Sequence, residues 1–212
     1  VSEWPFGALR PLSYGVLLAD PPWSYEMYGA GGYGKSPEAH YETMSDAEIA
    51  ALPVSHLASG DCLLWMWAIW PKLPAALDVM RAWGFRYKTG GSWTKTTRHG
   101  KRAFGTGYIL RSTTEPFLIG TIGNPAVASR RVRNLIESPR RLHSQKPPEA
   151  RAMLRELRPH AFAAELFGIE PWPGADTWNP KPHRPPTEPA PSTGGGVPDS
   201  RDSSSPEFWD LT

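Results

Sequence analysis

Tyr14-Gly15-Val16-Leu17-Leu18-Ala19-Asp20-Pro21-Pro22-Trp23 joins an uncharged, Val/Leu-rich run to an acidic residue, two consecutive prolines and a tryptophan. A short continuous apolar run that stops at turn residues reads as a strand buried on both faces. The prolines cannot extend it, because each fixes φ and lacks an N–H. Asp20 therefore sits at the carboxyl end of a buried strand, where open α/β sheets hold their ligands.

Working outward, strand-like and helix-like segments alternate. Ser45 followed by Glu48 is a capping-box pattern that opens a short helix to about Leu52. Cys62 to Ile69 is a second apolar run, closed by Pro71. Leu73, Ala76, Leu77, Met80 and Trp83 have helical spacing, and Gly84 ends that helix. Phe85 to Lys95 and Glu115 to Gly123 read as strands. Pro147-Pro148 marks a helix start, with Ala150, Met153, Leu154 and Leu157 on one face. Ala161 to Phe167 is a further buried strand, ending at Gly168. Such alternation predicts an α/β doubly wound sheet. No internal repeat is present.

The chain has 212 residues, enough for one full core. Residues 1–179 form the expected folded domain. From Pro180 on come eight prolines, Gly194-Gly195-Gly196 and Ser203-Ser204-Ser205, with little that is apolar before Phe208-Trp209. That composition predicts a disordered tail over 180–212. A single cysteine, Cys62, excludes an intrachain disulfide and a Cys-based zinc site, and no metal is expected. No run reaches the ~18 apolar residues of a membrane span, and Val1 to Arg10 lacks a signal-peptide pattern, so the expected compartment is the cytoplasm.

Net charge is +2, but its distribution is uneven. Arg86 to Arg111 carries seven Lys/Arg and no Asp or Glu, and Arg130 to Arg158 carries nine basic against three acidic residues. Two basic segments in a nearly neutral chain point to a phosphate-binding face.

Asp20-Pro21-Pro22-Trp23 offers acceptors without donors: the Asp20 carboxylate and the Pro21 carbonyl, beside an aromatic plane. That set suits an exocyclic aromatic amine, which has two N–H bonds to give. Gripping those hydrogens favours a pyramidal nitrogen whose lone pair can attack, and stabilises the positive charge that develops there. Trp23 is placed to stack on the base, worth roughly 1–3 kcal/mol. The alternative is an ordinary turn after a strand. No covalent nucleophile is needed.

Here the chain resembles the N6-adenine and N4-cytosine methyltransferases, and most closely the family of the 70-kDa catalytic subunit of the mRNA N6-adenosine methyltransferase, with its bacterial and phage members. The resemblance rests on the opening stretch, Tyr41 to Ile49, Cys62-Leu63-Leu64-Trp65, Trp83-Gly84-Phe85 and Trp93-Thr94-Lys95, then Gly120 to Pro125, His143-Ser144-Gln145-Lys146-Pro147, Glu165-Leu166-Phe167-Gly168 and Trp178-Asn179. It covers about Tyr14 to Asn179. It implies a Rossmann-like fold in permuted order, with the amine-binding turn first and the donor-binding strand late, and S-adenosylmethionine as methyl donor. The permutation accounts for the lack of a Gly-x-Gly-x-x-Gly after the first strand.

By that resemblance Asp20, Pro21, Pro22 and Trp23 are the catalytic set. Donor contacts fall to Asp20 (methionine ammonium), Lys146 (methionine carboxylate), Glu165 at a strand end (ribose hydroxyls), Phe167, Asn179 near the ribose, and backbone around Phe6. The alternatives are a strand-end salt bridge for Glu165, a solvated charge for Lys146 and a loop amide for Asn179. One departure stands out: where the family often has Arg after Leu-Phe-Gly, this chain has Ile169-Glu170.

Ser24 to His40 reads as a mobile aromatic lid, with Tyr25 and Tyr33 facing the substrate; its glycines lack the spacing of a phosphate loop. Lys95, Arg98, Lys101, Arg102 and His143 are the expected nucleic-acid contacts, the first four interleaved with aromatics. The alternative is a solvated charged hairpin. The family also uses this region as a partner interface, which implies a homodimer or a related partner subunit. The expected activity is methylation of adenine N6 in DNA. Alternatives are the same chemistry on RNA, cytosine-N4 methylation, and a catalytically silent nucleic-acid-binding scaffold; the intact acidic acceptor Asp20 speaks against the last.

Overall fold

A computed structural model of the chain describes residues 4–24, 43–105, 107, 109–141 and 145–180. Tyr25, Tyr33, His143, most of the expected lid, and the tail from residue 181 with Phe208-Trp209 lie outside the described residues.

Among the described residues the strands and α-helices follow in the order β1 (Tyr14–Ala19), α1 (Asp46–Ala50), β2 (Ala58–Trp67), α2 (Leu73–Ala82), β3 (Arg86–Thr96), β4 (Thr114–Ile122), β5 (Leu135–Pro139), α3 (Pro148–Leu157), β6 (Ala163–Leu166) and β7 (Asp176–Trp178). The strands form one seven-stranded sheet in the order β5-β3-β4-β2-β1-β6-β7. β1 runs parallel to β2 and β6, and β6 to β7. β4 runs antiparallel to both β2 and β3, so the sheet is α/β but mixed. The hairpin connection from β3 to β4 is what reverses the direction, since antiparallel neighbours need no crossover helix.

All six residues of β1 are buried, as a central strand requires. Alternate side chains serve two cores. Leu17 and Ala19 face one, with Ile49 of α1 and Ala76, Val79 and Met80 of α2. Val16 and Leu18 face the other, with Trp65, Trp67, Trp93, Phe117 and Ala150 and Leu154 of α3. Trp65 stacks on Phe117 at a centroid distance of 3.9 Å. Helices thus cover both faces, as a doubly wound sheet demands.

α1 has the expected capping box. Ser45 Oγ accepts from Glu48 N at 3.2 Å, and Glu48 Oε2 accepts from Ser45 N at 2.8 Å. α2 ends before Gly84, whose φ of +79° is the left-handed region that glycine tolerates. β5 and β7 were not legible as strands. β5 (Leu-Ile-Glu-Ser-Pro) is an edge strand with only Ile136 and Ser138 buried, and β7 has three residues. Neither shows an apolar run.

Candidate active site

β1 is the switch point of the sheet. The crossover through α1 carries the chain to β2 on one side, while α3, on the opposite face, leads into β6 on the other. The carboxyl ends of β1 and β6 lie side by side, and Asp20 N donates to Leu166 O at 3.3 Å. A crevice there is the expected ligand position.

The turn after β1 is locally bonded. Trp23 N donates to Pro21 O at 2.8 Å, and Met44 N donates to Pro22 O at 3.0 Å. The Pro21 carbonyl expected to grip an amine therefore already accepts one bond, and its second lone pair is what remains for a ligand. Trp23 also departs from expectation. It is 5% exposed, packs in the core, and donates Nε1–H to Trp67 O at 3.1 Å. So little open ring leaves it a brace that ties the turn to β2, in place of the stacking plane read from the sequence.

Asp20 opens a ladder of alternating charge. Lys146 Nζ lies 2.8 Å from Asp20 Oδ1 and 3.0 Å from Glu115 Oε1. Lys95 Nζ lies 2.7 Å from Glu115 Oε2. The ammonium of Lys146 sits 5.8 Å from the Trp67 ring centroid, and that of Lys95 5.0 Å from Trp93. Four elements thus converge: the end of β1, the start of β4, the end of β3 and the approach to α3. Glu115 was not singled out from the sequence; the available signal was that it is the first acid after the all-basic run Arg86 to Arg111.

Burial pushes the Asp20 carboxyl above its ordinary range, more than Lys146 pulls it down. Burial acts on Glu115 too, but Lys146 and Lys95 together outweigh it and hold that carboxyl below its usual range. Lys146, desolvated yet flanked by two carboxylates, is held well above the usual lysine range and is always charged.

Glu165 is 7% exposed. In register it pairs with Leu18, on the α3 face of the sheet, and Arg151 of α3 reaches it. Arg151 Nη2 lies 3.0 Å from Oε1 and 2.8 Å from Oε2. The strand-end salt bridge is therefore what forms, although Oε2 accepts no aligned hydrogen bond. Burial, partly offset by Arg151, raises this carboxyl as well.

The departure at Ile169-Glu170 has a structural counterpart. Arg141 Nη1 and Nη2 contact the Glu170 carboxylate at 2.8 and 3.1 Å, Gln145 Nε2 donates to Glu170 Oε1 at 2.9 Å, and Arg141 Nη1 donates to Lys146 O at 3.1 Å. Glu170 so ties the segment that carries Lys146 to the loop after β6.

Phe167 adopts φ +63° and packs edge-on to Trp178 at 5.3 Å. Trp178 meets Phe6 at 4.9 Å. Phe6 is fully buried in the core, so only its backbone is left to touch a ligand. Asn179 Nδ2 donates to Gly168 O at 3.3 Å. Phe6, Phe167 and Asn179 are thus brought together beside the β6 end. Lys95 belongs to the ladder and is held by Glu115, whereas Arg98, Lys101 and Arg102 are exposed on the β3–β4 hairpin. Among the described residues no group of acidic, His or Cys side chains is placed to hold a metal.

The sequence profile of the MT-A70 family matches residues 14–181. The chain is 32% identical over 157 residues to the N(6)-adenosine-methyltransferase MT-A70-like protein of Arabidopsis thaliana, covering 73% of this chain and 21% of the relative. Identity to the Drosophila melanogaster N(6)-adenosine-methyltransferase MT-A70-like protein is 32% over 158 residues, 24% of that relative. The type II methyltransferase M.MunI of Mycoplasma sp is 30% identical over 192 residues, covering 82% of this chain and 79% of the relative. The chain thus spans about a fifth to a quarter of the two adenosine methyltransferases and most of M.MunI. A profile match that runs from the first strand past the last shows that the chain belongs to the MT-A70 family.

Proposed function

We propose that this chain methylates the N6 amine of adenine in DNA, with S-adenosylmethionine as donor. The observation that carries the reading is the position of Asp20: an acceptor carboxylate on a doubly proline-stiffened turn, at the carboxyl end of the central strand and beside the end of β6. Type II methyltransferase M.MunI is the relative matched over most of its own length, and it favours DNA. The adenosine methyltransferases of slightly higher identity favour RNA as the second reading.

The residues present fit the donor's methionine end. Lys146 has three N–H bonds, and the two carboxylates occupy two, leaving one for the donor carboxylate. Lys146 holds one Asp20 oxygen, so the other suits an ammonium or the target amine. Glu165 Oε2, buried without an aligned donor, suits a ribose hydroxyl. When bound, the donor supplies an electrophilic sulfonium methyl, which leaves sulfur as the N–C bond forms.

Asp20 accepts an N–H of the amine and turns the nitrogen lone pair out of the ring. It then faces the positive charge that the nitrogen gains. A carboxyl raised above its ordinary range is a better acceptor for the proton that the methylated amine must lose. Lys146 fixes the carboxylate without competing for that proton, since it is fully charged.

Incubation with methyl-labelled donor and separate DNA and RNA pools, followed by nucleoside analysis, tests the reading. Label in N6-methyldeoxyadenosine is expected. Label in N4-methylcytosine, or none in either pool, overturns it; label in adenosine of RNA alone moves the substrate to the second reading.

A further inference from the structure

The hairpin between β3 and β4 projects from the same sheet edge as Asp20. Its stem residues Lys95 and Glu115 are joined to Asp20 through Lys146. Residues 97–113 carry Arg98, Lys101, Arg102 and Arg111 and no acidic side chain. The first half folds back on the stem, with Thr97 N bonded to Lys101 O at 2.7 Å and Ala103 N to Lys95 O at 2.8 Å. Gly105 N then donates to Ser112 O at 2.8 Å.

The described residues beside this bond expose large apolar side chains. Ile109 is 95% and Leu110 81% exposed, and Phe104 is 65% exposed under the Arg111 guanidinium, 5.6 Å from its ring centroid. Adjacent bare aliphatics on a hairpin whose own charged side chains are all basic suit a partner that is apolar inside and anionic outside. A base-paired stack between two phosphate backbones has that chemistry. Phe104 is covered on one face by Arg111, and Ile109 and Leu110 have no ring to stack on an unpaired base; exposed aliphatic side chains act as wedges between stacked base pairs.

We propose that Ile109 and Leu110, beside Arg111, insert into a DNA duplex next to the adenine turned out toward Asp20, so that the substrate is double-stranded. This rests on the methyl-transfer reading above. The cationic side chains hold the backbones while the wedge fills the space that the everted base leaves.

The test compares wild type with Ile109→Ala/Leu110→Ala on sheared genomic DNA, native and heat-denatured. Both side chains are exposed, so the variant melts as wild type does. Expected is a fall in kcat/KM on native DNA of about tenfold or more, since unstacking a base step is costly, with a change within about twofold on denatured DNA. Binding to native DNA weakens by a similar factor while its salt slope is unchanged, because no phosphate contact is removed. Equal loss on both forms, no loss on native DNA, a preference for structured RNA over duplex DNA, or a shift in oligomeric state by light scattering overturns the proposal. The binding arm needs no turnover. A wild type that binds duplex but methylates nothing therefore refutes the methyl-transfer reading while leaving the wedge decided on its own.

Discussion

Burial disfavours the charged Asp20 carboxylate more than its Lys146 ion pair favours it, so the group is held at a cost to the fold. Function and stability should therefore separate at this residue. Asp20→Asn is expected to lower kcat by about 10²–10⁴-fold, the range for a lost proton-handling group, with no fall in melting temperature at neutral pH. An active variant would remove Asp20 from the chemistry. Glu115 behaves oppositely. Its carboxyl is held low in the folded state, so its contribution to stability is complete above the ordinary glutamate range near ~4.3 and is lost as pH falls through the lower folded value. Glu115→Gln should flatten the acid side of the stability–pH curve, and an identical acid limb in urea titrations at several pH values would show that the ladder does not stabilise the fold. Both acids were present in the sequence as letters. Asp20 was legible because a strand and two prolines frame it; Glu115 was not, because its partners come from positions 95 and 146.

Elements set these residues in place through short local devices. The Ser45–Glu48 box was readable four letters at a time, because its bonds are made within one turn. Ser45→Ala is expected to cost about 1 kcal/mol, measured by denaturant melting. Strand β3 depends on something no local pattern announces. A Cβ on Gly91 would collide with the Asn134 carbonyl at the entry to β5 and with the Phe117 ring. Gly91→Ala should therefore destabilise by roughly 2–3 kcal/mol, and a neutral result would mean that β5 moves freely away. The link from Glu170 to Arg141 and Gln145 acts similarly at a distance of about one helix. Neither Glu170 nor Arg141 drew notice as a positioning residue, since the pair meets only after α3 and β6 have packed.

At the scale of the whole molecule, one basic stretch of sequence stays together in space. The basic run Arg86 to Arg111 becomes β3 and the hairpin after it, and its part from Lys95 to Arg111 lies at the Asp20 end of the sheet. Lys101→Glu/Arg102→Glu is expected to weaken nucleic-acid binding and to reduce the slope of log K against log salt by nearly 2 if each side chain meets one phosphate. An unaltered slope would take this hairpin off the binding face. By itself the sequence determined the buried central strand, the proline-stiffened acidic turn after it, the helix boundaries and the family motifs, because periodicity, capping and turn chemistry act between near neighbours in the chain. Only the tertiary structure decided that β4 runs antiparallel, that Trp23 braces the core, that Glu165 pairs with Arg151 and that Asp20, Lys146, Glu115 and Lys95 form one ladder. Those outcomes depend on which strands lie side by side and which charges lose their water together, and neither is settled until the two cores close.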